Sequence, residues 1–140
     1  MPKGFLGRCL CGAVHYECRA DALMAGHCQC IDCRKSSGTG HSSHLAVPRS
    51  AVSIAGEVTI YDRAADSGHV VSRAFCSRCG APIYSLNDAM PDLMFIRASS
   101  LDDLEVFKPQ MVVYASRGAS WDTFDLSLAR FEKMPAMGQS

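Results

Sequence analysis

Cys9-Leu10-Cys11-Gly12 and its later counterpart, Cys76-Ser77-Arg78-Cys79-Gly80, are the stretches that decide how this chain folds. Each places two thiols one or two residues apart and follows them with a glycine. A residue without a side chain lets the backbone turn around a metal-bound sulfur, so that amide hydrogens point at the thiolate. Two such knuckles look like the halves of one closed, tetrahedral, structural zinc site, and they predict that the first strand is pinned by metal to the middle of the chain. Such a zinc contributes about 10 to 16 kcal/mol to folding, on the scale of a small domain's whole net stability.

Of the eight cysteines, three more lie in Cys28-Gln29-Cys30-Ile31-Asp32-Cys33, and Cys18 stands alone. Three protein ligands with one vacant position is the ligand count of catalytic zinc. A histidine, His27, His41 or His44, would instead close the site, and three free thiols are the remaining reading. On an extended segment His41 and His44 have opposite parity, so at most one of them reaches the metal. Spacing alone does not settle which clusters share an ion. Zinc under three thiolates carries a net negative charge and activates water poorly, whereas a substrate thiol suits so soft a ligand set. Arg34 and Lys35 follow Cys33 directly. They would offset that charge and meet a carboxylate, set against the plainer reading of solvated surface cations.

A disulfide scaffold is the lesser reading of the same cysteines. Pairing inside a cluster closes loops of two or three residues, where strain is large and the entropic gain small. The N-terminal residues reach a cysteine cluster before an apolar stretch of signal-peptide length could fit, and no later stretch is long and apolar enough to cross a bilayer. The expectation is a soluble, cytoplasmic protein whose thiols stay reduced. With 140 residues and 48% hydrophobic content, one domain over residues 4–135 with a loose tail over 136–140 is expected. Fourteen basic residues balance fourteen acidic ones, so the chain lacks the electrostatic footprint of a nucleic-acid binder.

Residues 13–18 alternate as a strand, with Val14, Tyr16 and Cys18 on one face; Cys18 is thereby a small buried hydrophobe. Residues 20–26 form a loop, and 34–38 begin as a helical turn that Gly38 stops. Further strands are expected over 41–47, 51–54, 58–61, 69–75, 82–86, 93–98 and 111–115, with 51–54 and 58–61 joined as a hairpin around Gly56. Residues 126–133 suit either a brief helix or an extended edge. Many short strands, glycine-containing turns and almost no helical periodicity make the fold mainly β.

These residues together resemble the glutathione-dependent formaldehyde-activating family, whose domain is shared with centromere protein V. The likeness rests on Gly7-Arg8-Cys9-Leu10-Cys11-Gly12-Ala13-Val14, on Cys28 through Gly38, and on Phe75-Cys76-Ser77-Arg78-Cys79-Gly80. It extends to Ile96-Arg97-Ala98-Ser99-Ser100-Leu101-Asp102-Asp103, Trp121 and Phe131-Glu132-Lys133-Met134-Pro135. The resemblance implies a β-tent fold of small antiparallel sheets around a structural zinc. It implies Cys9, Cys11, Cys76 and Cys79 as ligands of that ion, and Cys28, Cys30 and Cys33 as ligands of a second, catalytic zinc. The implied activity is a carbon-sulfur lyase type of reaction, joining glutathione to formaldehyde, with the thiol sulfur in the open position. A noncatalytic zinc-stabilised binding module and a related zinc hydrolase are the alternatives.

Thr39-Gly40-His41-Ser42-Ser43-His44 departs from the more apolar and aromatic stretch expected of relatives. It would alter the aldehyde or thiol accepted, or supply a proton-transfer histidine. Trp121, the only tryptophan, is expected as a packing anchor, with the wall of a pocket as the alternative. Asp102-Asp103 shapes a turn. His15 and His69 are expected as surface or hydrogen-bonded histidines without a metal role.

Overall fold

Tyr16 and Cys18 are buried while His15 and Glu17 are exposed, as the alternation along β2 (His15–Cys18) requires. The computed structural model describes residues 3–135; the tail expected over 136–140 lies outside them. Strand β1 (Phe5–Arg8) pairs with β2, which pairs in turn with β5 (Val52–Ala55), giving a three-stranded antiparallel sheet.

The second sheet has eight strands: β3 (Met24–Cys28), β4 (Ser42–Pro48), β6 (Val58–Ala64), β7 (Val70–Cys76), β8 (Pro82–Asn87), β9 (Leu93–Arg97), β10 (Met111–Val113) and β11 (Ala129–Arg130). Their order is β11-β10-β3-β4-β9-β8-β7-β6. From β3 to β6 the pairings are antiparallel, whereas β10 runs parallel to both β3 and β11. The protein is therefore mainly β, built from a three-stranded sheet and an eight-stranded one.

Three elements differ from the sequence expectation. The sequence does not announce strands β1 and β3, and β3 takes residues 24–26 of the region expected as a loop. Met24-Ala25-Gly26-His27-Cys28 lacks β-branched residues, and it is extended because β4 and β10 hold it on both sides. Residues 51–54 and 58–61 are strands but not a hairpin: β5 joins β2, and β6 joins β7. Gly56, at φ +103, turns the chain from one sheet to the other, and a Cβ there would strike the Ala13 carbonyl. Of residues 126–133, only Ala129–Arg130 is regular, as a short edge strand.

The two sheets share a core in which Val14, Tyr16 and Cys18 meet Leu45, Val47, Ile83 and Ile96. Phe5 meets the Tyr16 ring edge-on, with centroids 6.4 Å apart. The Tyr16 hydroxyl donates to Ser100 Oγ at 2.7 Å, and Ser100 donates to the Arg97 carbonyl at 2.8 Å. This chain of bonds couples the small sheet to the end of β9, where the large sheet approaches its cysteine cluster.

Candidate metal centres

The knuckles at Cys9 and Cys76 close in the same way. Gly12 and Gly80 both adopt left-handed backbone, φ +81 and +79, and their amides donate back to the Cys9 and Cys76 carbonyls. The fold brings all four sulfurs, Cys9, Cys11, Cys76 and Cys79, within 4.8 Å of one another. Cys9 and Cys11 sulfurs lie 3.7 Å apart, and those of Cys11 and Cys76 3.8 Å. Sulfurs about 2.3 Å from a tetrahedral zinc are about 3.8 Å from each other, so this set fits that ion. Backbone amides serve the sulfurs as the glycines foretell: Val14 donates to Cys9 at 3.2 Å, and Arg78 and Cys79 donate to Cys76 at 3.3 and 3.4 Å. Amides of Ala81 and Cys11 draw the Cys79 thiol down to about 6, which favours the thiolate that a metal binds.

Cys28, at the end of β3, and Cys30 and Cys33 beyond it form the second group, also within 4.8 Å of one another. Helix α1 (Ile31–Lys35) starts three residues earlier than the sequence suggests. Its N-cap is Cys30, whose sulfur accepts the Cys33 amide hydrogen at 3.1 Å, standing where a serine or aspartate oxygen usually does. The three sulfurs are electrically linked. Thiols of Cys28 and Cys30 donate to Cys33 and hold it as thiolate, while the neighbouring sulfurs of Cys30 and Cys33, together with burial, hold Cys28 protonated. A bound cation removes that conflict by favouring all three thiolates, so the donor set suits a soft divalent metal.

Strand register places the surroundings of this cluster. Cys28 opposes Ser42, Gly26 opposes His44, and His44 opposes Arg97, so these side chains share one face of the large sheet. Arg73 opposes Ser85, which opposes Phe95, and that row adds Arg73 to the same face. His44 lies against Cys33 and contacts the Ser42 hydroxyl; burial keeps its imidazole neutral, below the usual histidine range. No imidazole nitrogen joins the three-sulfur group among the described residues.

His41 does face the other way, as parity demands. Its Nδ1 lies 2.9 Å from Asp122 Oδ1, and Asp122 Oδ2 accepts Gln29 Nε2 at 2.9 Å. His27 shares this opposite side. Its Nδ1 meets Ser43 Oγ at 2.8 Å, and its ring stacks on Phe124 with centroids 4.4 Å apart. Burial, then the neighbouring His41, lowers its pKa to about 4.

Other expectations resolve plainly. Cys18 is 1% exposed, its thiol donates to the Ala20 carbonyl, and it belongs to neither group. Asp103 caps the short turn Leu104–Val106 through Glu105 N, and Asp102 meets Arg8 at 3.2 Å. His69 pairs with Asp88 on the surface. Trp121 is not a packing anchor: it is 68% exposed, and its neighbour Asp122 ties that segment down instead. Arg34 and Lys35 make no ion pair among the described residues, and the cations that share the cluster's face are Arg73 and Arg97. Sequence reasoning missed both, because strands β7 and β9 carry no local signal of where they will lie. Arg97 had one pointer, its place in the segment that resembles the family.

A two-sheet β protein clamped by one four-thiol centre and carrying a second, three-thiol centre is the class that the fold and sites define. The family model described as glutathione-dependent formaldehyde-activating enzyme matches residues 5–117, and the chain belongs to that family. The family's name implies an enzyme acting on formaldehyde with glutathione. A crystal structure of a Rhodobacter sphaeroides protein, determined as a structural-genomics target, is similar in fold, with TM-score 0.58 and 19% identity over 90% of this chain and 98% of that one. No curated protein sequence matches the chain significantly. No helix among the described residues is long and apolar enough to cross a membrane.

Proposed function

We propose that this protein joins a small thiol, glutathione or one like it, to formaldehyde or another small electrophile at the Cys28, Cys30 and Cys33 centre, while Cys9, Cys11, Cys76 and Cys79 hold a structural zinc. The observation that carries this reading is a donor set of three converging cysteine sulfurs, against four at the other centre. Zinc at the three-sulfur centre would supply a fourth position at which a thiol ionises. Cys30 and Cys33 are held for this by α1, since the Cys33 amide fixes the Cys30 sulfur. His44, neutral and buried against Cys33, adds no competing positive charge. The sulfur lone pair forms the carbon-sulfur bond, the carbonyl π pair moves to oxygen, and the proton lost by the thiol returns to that oxygen. No oxidant or reductant is consumed.

Thiols add to formaldehyde unaided, so the useful measurement is an exchange rate between free and added formaldehyde by NMR, with metal content determined in parallel. The expected result is exchange faster than in protein-free solution, with about two zinc ions per chain, one of them and the rate enhancement lost in Cys30→Ser. A metal content that Cys30→Ser leaves unchanged, or exchange no faster than background, would sink the proposal. Absence of glutathione binding together with capture of a protein or nucleic acid would support a binding module instead.

A further inference from the structure

Arg97 is only 4% exposed, and a cation so deep is rarely left without a counter-charge. Its Nη1 and Nη2 donate to Ser36, the C-cap of α1, at 3.3 and 2.9 Å, which are neutral partners. Its buried Nε has no partner among the described residues. Arg73, half-buried on the same sheet face, likewise meets no carboxylate: the five ion pairs among the described residues use Arg8, His41, Arg63, His69 and Arg117. Two guanidinium groups on one face repel each other, and among the described residues neither of this pair meets a carboxylate that would account for it.

Both arginines line one cleft of about 410 Å³, with Ser36 and Tyr61 also in its wall. The cleft therefore begins at the cap of the helix that carries Cys33. Three thiolates around a divalent metal leave one net negative charge, enough to balance one arginine and not two. The second asks for an anion brought by a ligand.

Resting on the function proposed above, we infer that Arg73 and Arg97 are specificity-determining residues, which receive a carboxylate of the thiol substrate in this cleft while its sulfur occupies the three-cysteine centre. Guanidinium groups suit that task because their fixed, planar donors match a carboxylate in geometry as well as charge. A thiol without a carboxylate leaves the second arginine uncompensated and binds more weakly.

The test compares equilibrium binding, by calorimetry, of glutathione and of its diethyl ester, which keeps the thiol and loses both carboxylates. Metal-loaded wild-type protein is expected to favour glutathione by at least about ten-fold. Arg73→Gln, at a half-buried position without protein partners, should bring that preference close to one while affinity for the diester stays the same. Arg97→Lys, which keeps the charge and loses the planar fork, should reduce the preference without abolishing it, with thermal melts confirming the fold. Equal affinity for the two ligands in wild type, or a preference unchanged in Arg73→Gln, overturns the inference. Equal weakening of both ligands in Arg73→Gln overturns it too, because it assigns the arginine to sulfur ionisation. Cys30→Ser separates the two proposals: loss of affinity shared by both ligands supports the sulfur site, whereas an unchanged affinity with the preference intact removes that site and leaves the carboxylate cleft standing.

Discussion

The sulfurs of Cys11 and Cys76, 65 residues apart in the chain, lie 3.8 Å from each other. That separation matches the edge of a zinc-thiolate tetrahedron, and it brings the loop after β1 against the end of β7. Cys76→Ser, or a strong chelator, is expected to remove that ion. The loss, about 10 to 16 kcal/mol, exceeds what a small domain holds in reserve, so far-ultraviolet circular dichroism should show unfolding. A folded, metal-free Cys76→Ser protein would contradict the assignment.

Cys30 has two places in the structure, as a sulfur of the three-cysteine group and as the N-cap of α1. Cys30→Ser keeps an acceptor for the Cys33 amide, whereas Cys30→Ala does not. Both should lose one metal, but the alanine variant should be less stable than the serine variant by about 1 kcal/mol. Denaturant midpoints of the two proteins measure the difference, and equal midpoints would dismiss the capping role.

Burial, opposed by the bond to Ser100, pushes the Tyr16 hydroxyl from about 10 up to about 12. The unfolded chain therefore loses this proton first as pH rises. The stability tied to Tyr16 is fully present below about pH 10 and is lost progressively up to about pH 12, on the order of 2 kcal/mol in total. Urea unfolding across that range should show the decline, and Tyr16→Phe should flatten it while costing about 1 kcal/mol at neutral pH. An unchanged alkaline slope in Tyr16→Phe would place the effect elsewhere.

Asp122 accepts from Gln29, which is 2% exposed, and pairs with His41. Asp122→Ala removes one of the two acceptors of the buried Gln29 amide, the backbone carbonyl of residue 122 remaining at 3.2 Å, and should cost about 1 kcal/mol. Because its carboxylate lies across β4 from the sulfur-bearing face, metal content should stay at the wild-type value. Loss of metal in a folded Asp122→Ala protein would tie His41 to the centre after all.

How far the chain is legible depends on the range of each signal. The Val14, Tyr16, Cys18 alternation is local, and β2 buries its side chains accordingly. The opposite parity of His41 and His44 is local too, and only His44 faces the sulfurs. By contrast, β3 has no strand-forming residues of its own and is extended because two neighbours pair with it. Gly56 announces a turn but not that the strands it joins belong to different sheets.

The sequence by itself determined the chemistry that can be done here: four thiols in two glycine-closed knuckles, three more in one short segment, and the turns that point amides at sulfur. These follow from spacing and backbone freedom within a few residues. Only the tertiary structure decided which charges surround that chemistry. Arg34 and Lys35 lie beside Cys33 in the chain, yet Arg73 and Arg97 line the cleft, because strand register across β4, β9, β8 and β7 sets the face that each long side chain shares.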